Sequence, residues 1–173
     1  TTKLEEVKLY GGSGRGTVIL DGSGGNTARI GVDMKMEGVE ALPLLKDAAD
    51  VDRLTGTGRL VVVLTGDGTS EREVVETLAG RVEFAFEDGA IRGINVAEML
   101  RNLSRGNLGG LDAKPTDETD FSALTSSWTV ASGVAQNNDL KLSSPLLRLS
   151  GSGRVMLPAR EVDYTLKPRL VAS

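Results

Sequence analysis

The sequence predicts an α+β fold dominated by a curved, mostly antiparallel β-sheet with about three short helices. Three observations lead there. Glycine is abundant, at 22 of 173 residues, which points to turns, bulges and strand ends. Apolar and polar residues alternate with period two through long stretches, as half-buried strands require. Helix-start signals are few, and the apolar-periodic stretches behind them are short. The length suits a single domain over residues 1–173 with one core. Aromatics make up only 3%, so Leu, Val, Ile and Met must fill that core, and Phe84, Phe86, Phe121 and Trp128 should each matter to packing.

The tetrapeptides Gly12–Arg15 (GSGR), Gly56–Arg59 (GTGR) and Gly151–Arg154 (GSGR) raise the question of phosphate binding. A phosphate-cradling loop needs GxxxxGK[ST] between a strand and a helix, so that loop amides face the anion. None of the three has that form, and each leads into apolar, largely β-branched sequence. The reading is a glycine bend or bulge at which a strand starts or curves beside its neighbour, with each Arg a solvated charge that discourages edge pairing.

In TARIGVDMKMEG, Ala28, Ile30, Val32, Met34 and Met36 alternate with polar residues and glycine, giving a half-buried strand. A helix follows around Leu42 to Ala49, with Pro43 tolerated in its first turn. Gly66 and Gly68 lack the third glycine and the βαβ context of a dinucleotide site, so they are read as a turn. Ser70 and Glu73 form a capping box for a helix carrying Val74, Val75 and Leu78, with Gly80 as its stop. Asp88-Gly89 reads as a two-residue hairpin turn that sets Phe86 opposite Ile91 and Phe84 opposite Gly93. Asn95 with Glu98 opens a third helix, in which Val96, Met99, Leu100 and Leu103 share a face. Residues 105–119 read as a mobile loop between the two halves. Beyond it, Trp128/Val130, Leu140/Leu142, Leu147/Leu149, Val155/Leu157 and Val162/Tyr164/Leu166 predict about five short antiparallel strands.

Composition narrows function. A net charge of −4 without any Lys/Arg run disfavours nucleic acid and anionic membrane surfaces as partners. The longest apolar run, Leu60–Leu64, is far shorter than a membrane span. Histidine and cysteine are absent, which removes the commonest general base and metal ligand and the most reactive nucleophile. No enzyme activity, metal or cofactor is expected. Asp117, Glu118 and Asp120 lack calcium-loop spacing and read as a solvated loop, and Ser143-Ser144 has no histidine to activate it. A chain opening TTKLEE, with neither an initiator Met nor a leader, is expected to be a fragment or processed form of a longer protein.

The second half carries a resemblance. LAGRVEFAFEDGAIRGINVAEMLRNL, the TDFSAL segment, NNDLKLSSPLLRLSGSGR and the closing VDYTLKPRLVAS resemble the C-terminal region of the AsmA family of bacterial envelope proteins. The likeness covers Leu78 to Ser173, is looser over Asp52 to Gly80 and is weak in the first fifty residues. It implies a periplasmic segment of a protein anchored in the inner membrane by a helix upstream of this chain. It also implies a part in outer-membrane biogenesis, with phospholipid moving along an elongated β groove, and it carries over no catalytic motif.

The residues themselves leave two packings open: a closed layered core, or a sheet whose apolar face is partly an open trough for acyl chains. Lipid-contact candidates are Ile30, Val32, Met34, Phe84, Phe86, Leu140, Leu142, Leu147 and Leu149, every one of them equally a core residue. The rival function is a non-catalytic scaffold that binds an envelope protein through an exposed sheet edge. A carboxylate-dependent hydrolase using Asp117 or Glu118 is the remaining alternative.

Overall fold

The computed structural model describes residues 2–107 and 114–171. Among them, β1 (Thr2–Leu9), β2 (Gly12–Gly24), β3 (Thr27–Glu40), β4 (Thr57–Gly68), β5 (Ala79–Arg92), β6 (Glu118–Ala131), β7 (Val134–Ser143), β8 (Leu147–Met156) and β9 (Glu161–Leu170) form one sheet. Their spatial order is their chain order, and every neighbouring pair is antiparallel. The sheet stays open, with β1 and β9 at its edges. Three helices interrupt the meander: α1 (Ala41–Ala49), α2 (Glu71–Glu76) and α3 (Val96–Ser104). This is the α+β, sheet-dominated fold that the alternation predicts.

Local chemistry explains the reversals. Tyr10-Gly11 and Ser132-Gly133 join their strands with both residues at positive φ, the two-residue geometry whose twist matches that of a hairpin. At α2, Ser70 Oγ accepts the Glu73 amide at 3.3 Å, and the Glu73 carboxylate takes the Thr69 amide and hydroxyl, each at 2.7 Å. Asn95 Oδ1 accepts the Glu98 amide at 2.9 Å and starts α3. α1 begins where its sequence predicts, with Pro43 in its first turn.

Register sorts the strands into two faces. One carries Met36, Leu60, Phe84, Phe86, Leu124, Leu142 and Leu149, aligned across β3 to β8. At the end reached by β3, β5 and β7, helices α1 and α3 lie on this face. There Ala41, Phe86, Val96, Phe121, Leu124, Leu142 and Leu147 form a buried cluster, joined by Leu44, Leu45 and Leu100. A second cluster of Met36, Val39 and Leu60 shares Leu44 and Phe84 with the first. At the opposite end α2 covers Gly66 and Gly68 of β4: a Cβ on Gly66 would lie 2.7 Å from the Val74 carbonyl oxygen. The other face is mostly polar, with rows such as Thr17, Asp33, Arg81, Thr129, Gln136, Arg154 and Asp163.

The second glycine of each tetrapeptide does one job. A Cβ on Gly14, Gly58 or Gly153 would collide with a backbone carbonyl of the adjacent strand, that of Lys35, Ala85 or Asp163. The tetrapeptides are therefore close-approach points of the sheet, and no helix follows any of them. Their arginines are not edge charges. Arg15, Arg59 and Arg154 sit on the interior strands β2, β4 and β8, and Arg154 pairs with Asp163 at 3.4 Å.

Other expectations need correction. Asp88-Gly89 is not a hairpin: β5 runs straight through it, pairing Phe86 with Leu124 and Gly89 with Phe121. Asp88 takes a φ of 49° at the point where the partner of β5 changes from β4 to residues 53–55, whose Thr55 amide bonds the Ala90 carbonyl. A local left-handed residue there offsets the strand without reversing it. Gly80 does not stop α2, which ends at Glu76; Gly80 belongs to β5. Gly66 and Gly68 are strand residues rather than a turn. The C-terminal third holds four strands instead of five, because Leu147/Leu149 and Val155 share β8 across Gly151 and Gly153. In α3 only Val96 and Leu100 pack inward, while Met99 and Leu103 stay exposed. Of the loop predicted over 105–119, residues 108–113 lie outside the described residues, and Glu118 and Thr119 already belong to β6.

Candidate functional site

The apolar face is not covered along its whole width. Between the helices at its two ends, two rows of side chains cross the strands. The first runs Met34, Val62, Val82, Trp128, Asn137 and Tyr164, with Gly16 and Gly153 completing the register. The second runs Val18, Val32, Leu64, Val130, Val155 and Val162, with Gly80 and Ala135 completing it. Most of these side chains are only half-buried, and at the β9 edge Val162 is 69% exposed. At about 4.8 Å per strand, the strip from β2 to β9 is about 34 Å long. That is roughly the hydrocarbon thickness of a bilayer, twice the depth of one leaflet of tails.

The nine candidates from the sequence all fall on this one face, but not in one environment. Phe86, Leu142 and Leu147 are closed into the core beneath the helices, Phe86 with no exposure at all. Phe84, Leu140 and Leu149 are half-buried against that core. Val32 and Met34 lie on the uncovered strip, and Ile30, 37% exposed, lies at its far margin. The candidate list omits Val62, Leu64, Val82, Trp128, Tyr164, Val155 and Val162. For Trp128, Val155, Val162 and Tyr164 the signal was present in their alternation. For Val62 and Leu64 it was hidden in the continuous run Leu60–Leu64, where periodicity cannot tell the faces apart.

A polar knot fixes the strip where β6 and β7 slip register between Thr125 and Trp128. Buried Asn137 donates to Ser126 Oγ and the Ser127 carbonyl, both at 2.8 Å, and to Asp139 Oδ1 at 2.7 Å. Its own carbonyl oxygen accepts the Tyr164 hydroxyl. Asp139 also accepts the Ser127 amide and hydroxyl. Burial pushes the Asp139 carboxyl up, but the bonds from Ser127 and Asn137 outweigh it and leave the group below its ordinary range. Tyr164 is held above its usual value by burial and by the Asp139 charge. The acids that a carboxylate-dependent hydrolase would use lie elsewhere: Asp117 accepts the Lys114 amide, and exposed Glu118 pairs in register with Arg92.

The family model described as the AsmA family matches residues 3–140 of this chain, which is most of its length. The chain belongs to the AsmA family. Protein AsmA of Escherichia coli (strain K12) is similar to it, with 27% identity over 97% of the chain. The chain spans about 28% of that relative's length. No solved structure matches it. The AsmA family match includes the first fifty residues, where the resemblance read from sequence was weak, so β1 to β3 are part of the family pattern. In this AsmA-family chain the strip crosses both the region of the family match and the last two strands beyond it.

Proposed function

We propose that this chain is a periplasmic, non-catalytic segment of an inner-membrane-anchored AsmA-family protein that serves outer-membrane biogenesis by carrying phospholipid acyl chains along its apolar sheet face. The observation that carries this reading is the uncovered strip. Two rows of mostly apolar and mostly half-buried side chains cross eight strands while α1, α3 and α2 wall its ends. A contiguous apolar surface of this extent is uncommon on a protein that has no apolar ligand. The groove is lined by Val32, Met34, Val62, Val82, Trp128 and Tyr164, and tails lie across the strands, sliding rather than locking because few polar groups fix their position.

The test is lipid content. The chain is incubated with phospholipid vesicles, separated from them, extracted and measured by mass spectrometry as lipid per protein. Near-stoichiometric phospholipid is expected, with loss of most of it in folded Val62→Asp. A folded wild-type chain that recovers no lipid overturns the reading.

One observation favours a second reading, a scaffold that takes a partner's strand. The outer sides of β1 and β9 pair with no strand among the described residues. Capture of an extended peptide that β9-edge substitutions abolish, with no lipid recovered, would support it over transport.

A further inference from the structure

No Lys/Arg run exists in the chain, yet the fold builds a cationic patch. On the polar face of β7 to β9, Lys141 aligns with Ser150 and Lys167, and Ser143 aligns with Arg148 and Arg169. These side chains line a cleft of about 400 Å³ at the end of the sheet where α1 and α3 cover the opposite face. Lys141, Lys167 and Arg169 have no ion-pair partner among the described residues, and Arg148 bonds only the carbonyls of Ser144 and Leu147. The carboxylate on β7, Asp139, is engaged by Ser127 and Asn137. Glu161 and Asp163 lie at the other end of β9, where Asp163 neutralises Arg154. The next strand inward offers only Ala123 and Thr125 at these register positions. Arg148 directly opposite Arg169 is a like-charge pair, which a sheet tolerates poorly without a counter-charge.

We propose that this patch docks the chain on the phosphate-bearing surface of an anionic bilayer. The cations are spread over an open sheet face, three strands wide and two register positions deep, which suits an array of headgroups. One exposed leucine stands at its rim, Leu146 in the turn between β7 and β8, whereas Leu170 at the end of β9 registers with Leu147 on the opposite face. Cations beside an exposed leucine match the boundary between headgroups and acyl chains, whereas an acidic protein segment would make no use of that leucine. The inference concerns the face opposite the apolar strip and stands independently of lipid transport.

The experiment is co-sedimentation of the chain with phosphatidylcholine vesicles, with and without phosphatidylglycerol, at low and physiological salt. The wild type is expected to bind only the anionic vesicles, and less so as salt rises. Lys141→Gln/Lys167→Gln/Arg169→Gln should bind on the order of tenfold or more weakly. Lys35→Gln/Arg59→Gln, on the same face of other strands, should bind as wild type does. Far-UV circular dichroism confirms that each variant is folded, and none of these residues is buried. The proposal is overturned if wild type ignores anionic vesicles at low salt, if the triple variant binds them equally well, or if only soluble polyglutamate is bound. Lipid recovered from the separated protein should be unchanged in the triple variant, so failure of docking and failure of transport are read separately.

Discussion

Trp128 and Tyr164 stack with ring centroids 5.7 Å apart, although two strands lie between β6 and β9. Only Asn137 and Gly153 stand between them in the register, and Tyr164 leans inward over the glycines of the third tetrapeptide. A Cβ on Gly151 would lie 2.7 Å from the Tyr164 ring, and one on Gly153 would lie 2.7 Å from it as well. What resembles a phosphate loop in sequence is a platform for an aromatic ring.

Gly153→Val should therefore destabilise the fold by about 1–3 kcal/mol, since the new side chain meets the Asp163 carbonyl and displaces the ring. Urea unfolding followed by Trp128 fluorescence checks both effects, because breaking the stack alters the emission of the native state. An unchanged midpoint and unchanged emission would contradict the platform.

Asp139 and Tyr164 make opposite predictions about pH. The folded Asp139 carboxyl lies below its unfolded value, so its contribution is present above about pH 4 and is lost as pH falls through the folded value. Folded Tyr164 lies above its unfolded value of about 10, so its contribution is full below that and is lost as pH rises through the folded value. Asp139→Asn should flatten the acid limb and bring the tyrosine titration closer to normal. Thermal melts across pH, together with absorbance titration at the tyrosinate band, would read both.

Core and strip should separate under mutation. Phe86→Ala empties a fully buried site and should cost about 3–5 kcal/mol, and Leu142→Asp should unfold the chain. Val62→Ala, on the half-exposed strip, should cost about 1 kcal/mol. Chemical denaturation of the three variants measures the contrast, and equal losses at Phe86 and Val62 would mean that the strip is as closed as the core.

The caps give a local prediction. Ser70→Ala removes the acceptor for the Glu73 amide and should cost about 1 kcal/mol, while Asn95→Ala should cost a similar amount at α3. Hydrogen exchange at the first-turn amides of each helix should rise in the matching variant and not in the other.

Much of this was legible because it is local. The alternation in Thr27–Gly38 placed Ile30, Val32 and Met34 on one face, and the Ser70/Glu73 and Asn95/Glu98 pairs placed two helix starts. What escaped depends on neighbours far along the chain. Asp88-Gly89 has hairpin chemistry, but β4 and β6 flank β5 on both sides and keep it extended. In Leu60–Leu64 every residue is apolar, so nothing local shows that Val61 and Val63 face the polar side, Val61 between Lys35 and Glu83. The cationic patch takes one charge each from β7 and β8 and two from β9, and only register brings them together.

The chain-order meander has a developmental consequence for the protein as a lineage. Among the described residues, the strands that each strand pairs with are those just before and after it, so its pairing does not depend on how many others exist. A barrel must be redesigned when a hairpin is duplicated, because its circumference has to close again. This sheet can accept another hairpin as a tape accepts another inch. Its reach is therefore a quantity that gene duplication can tune while every existing turn and glycine contact stays as it is.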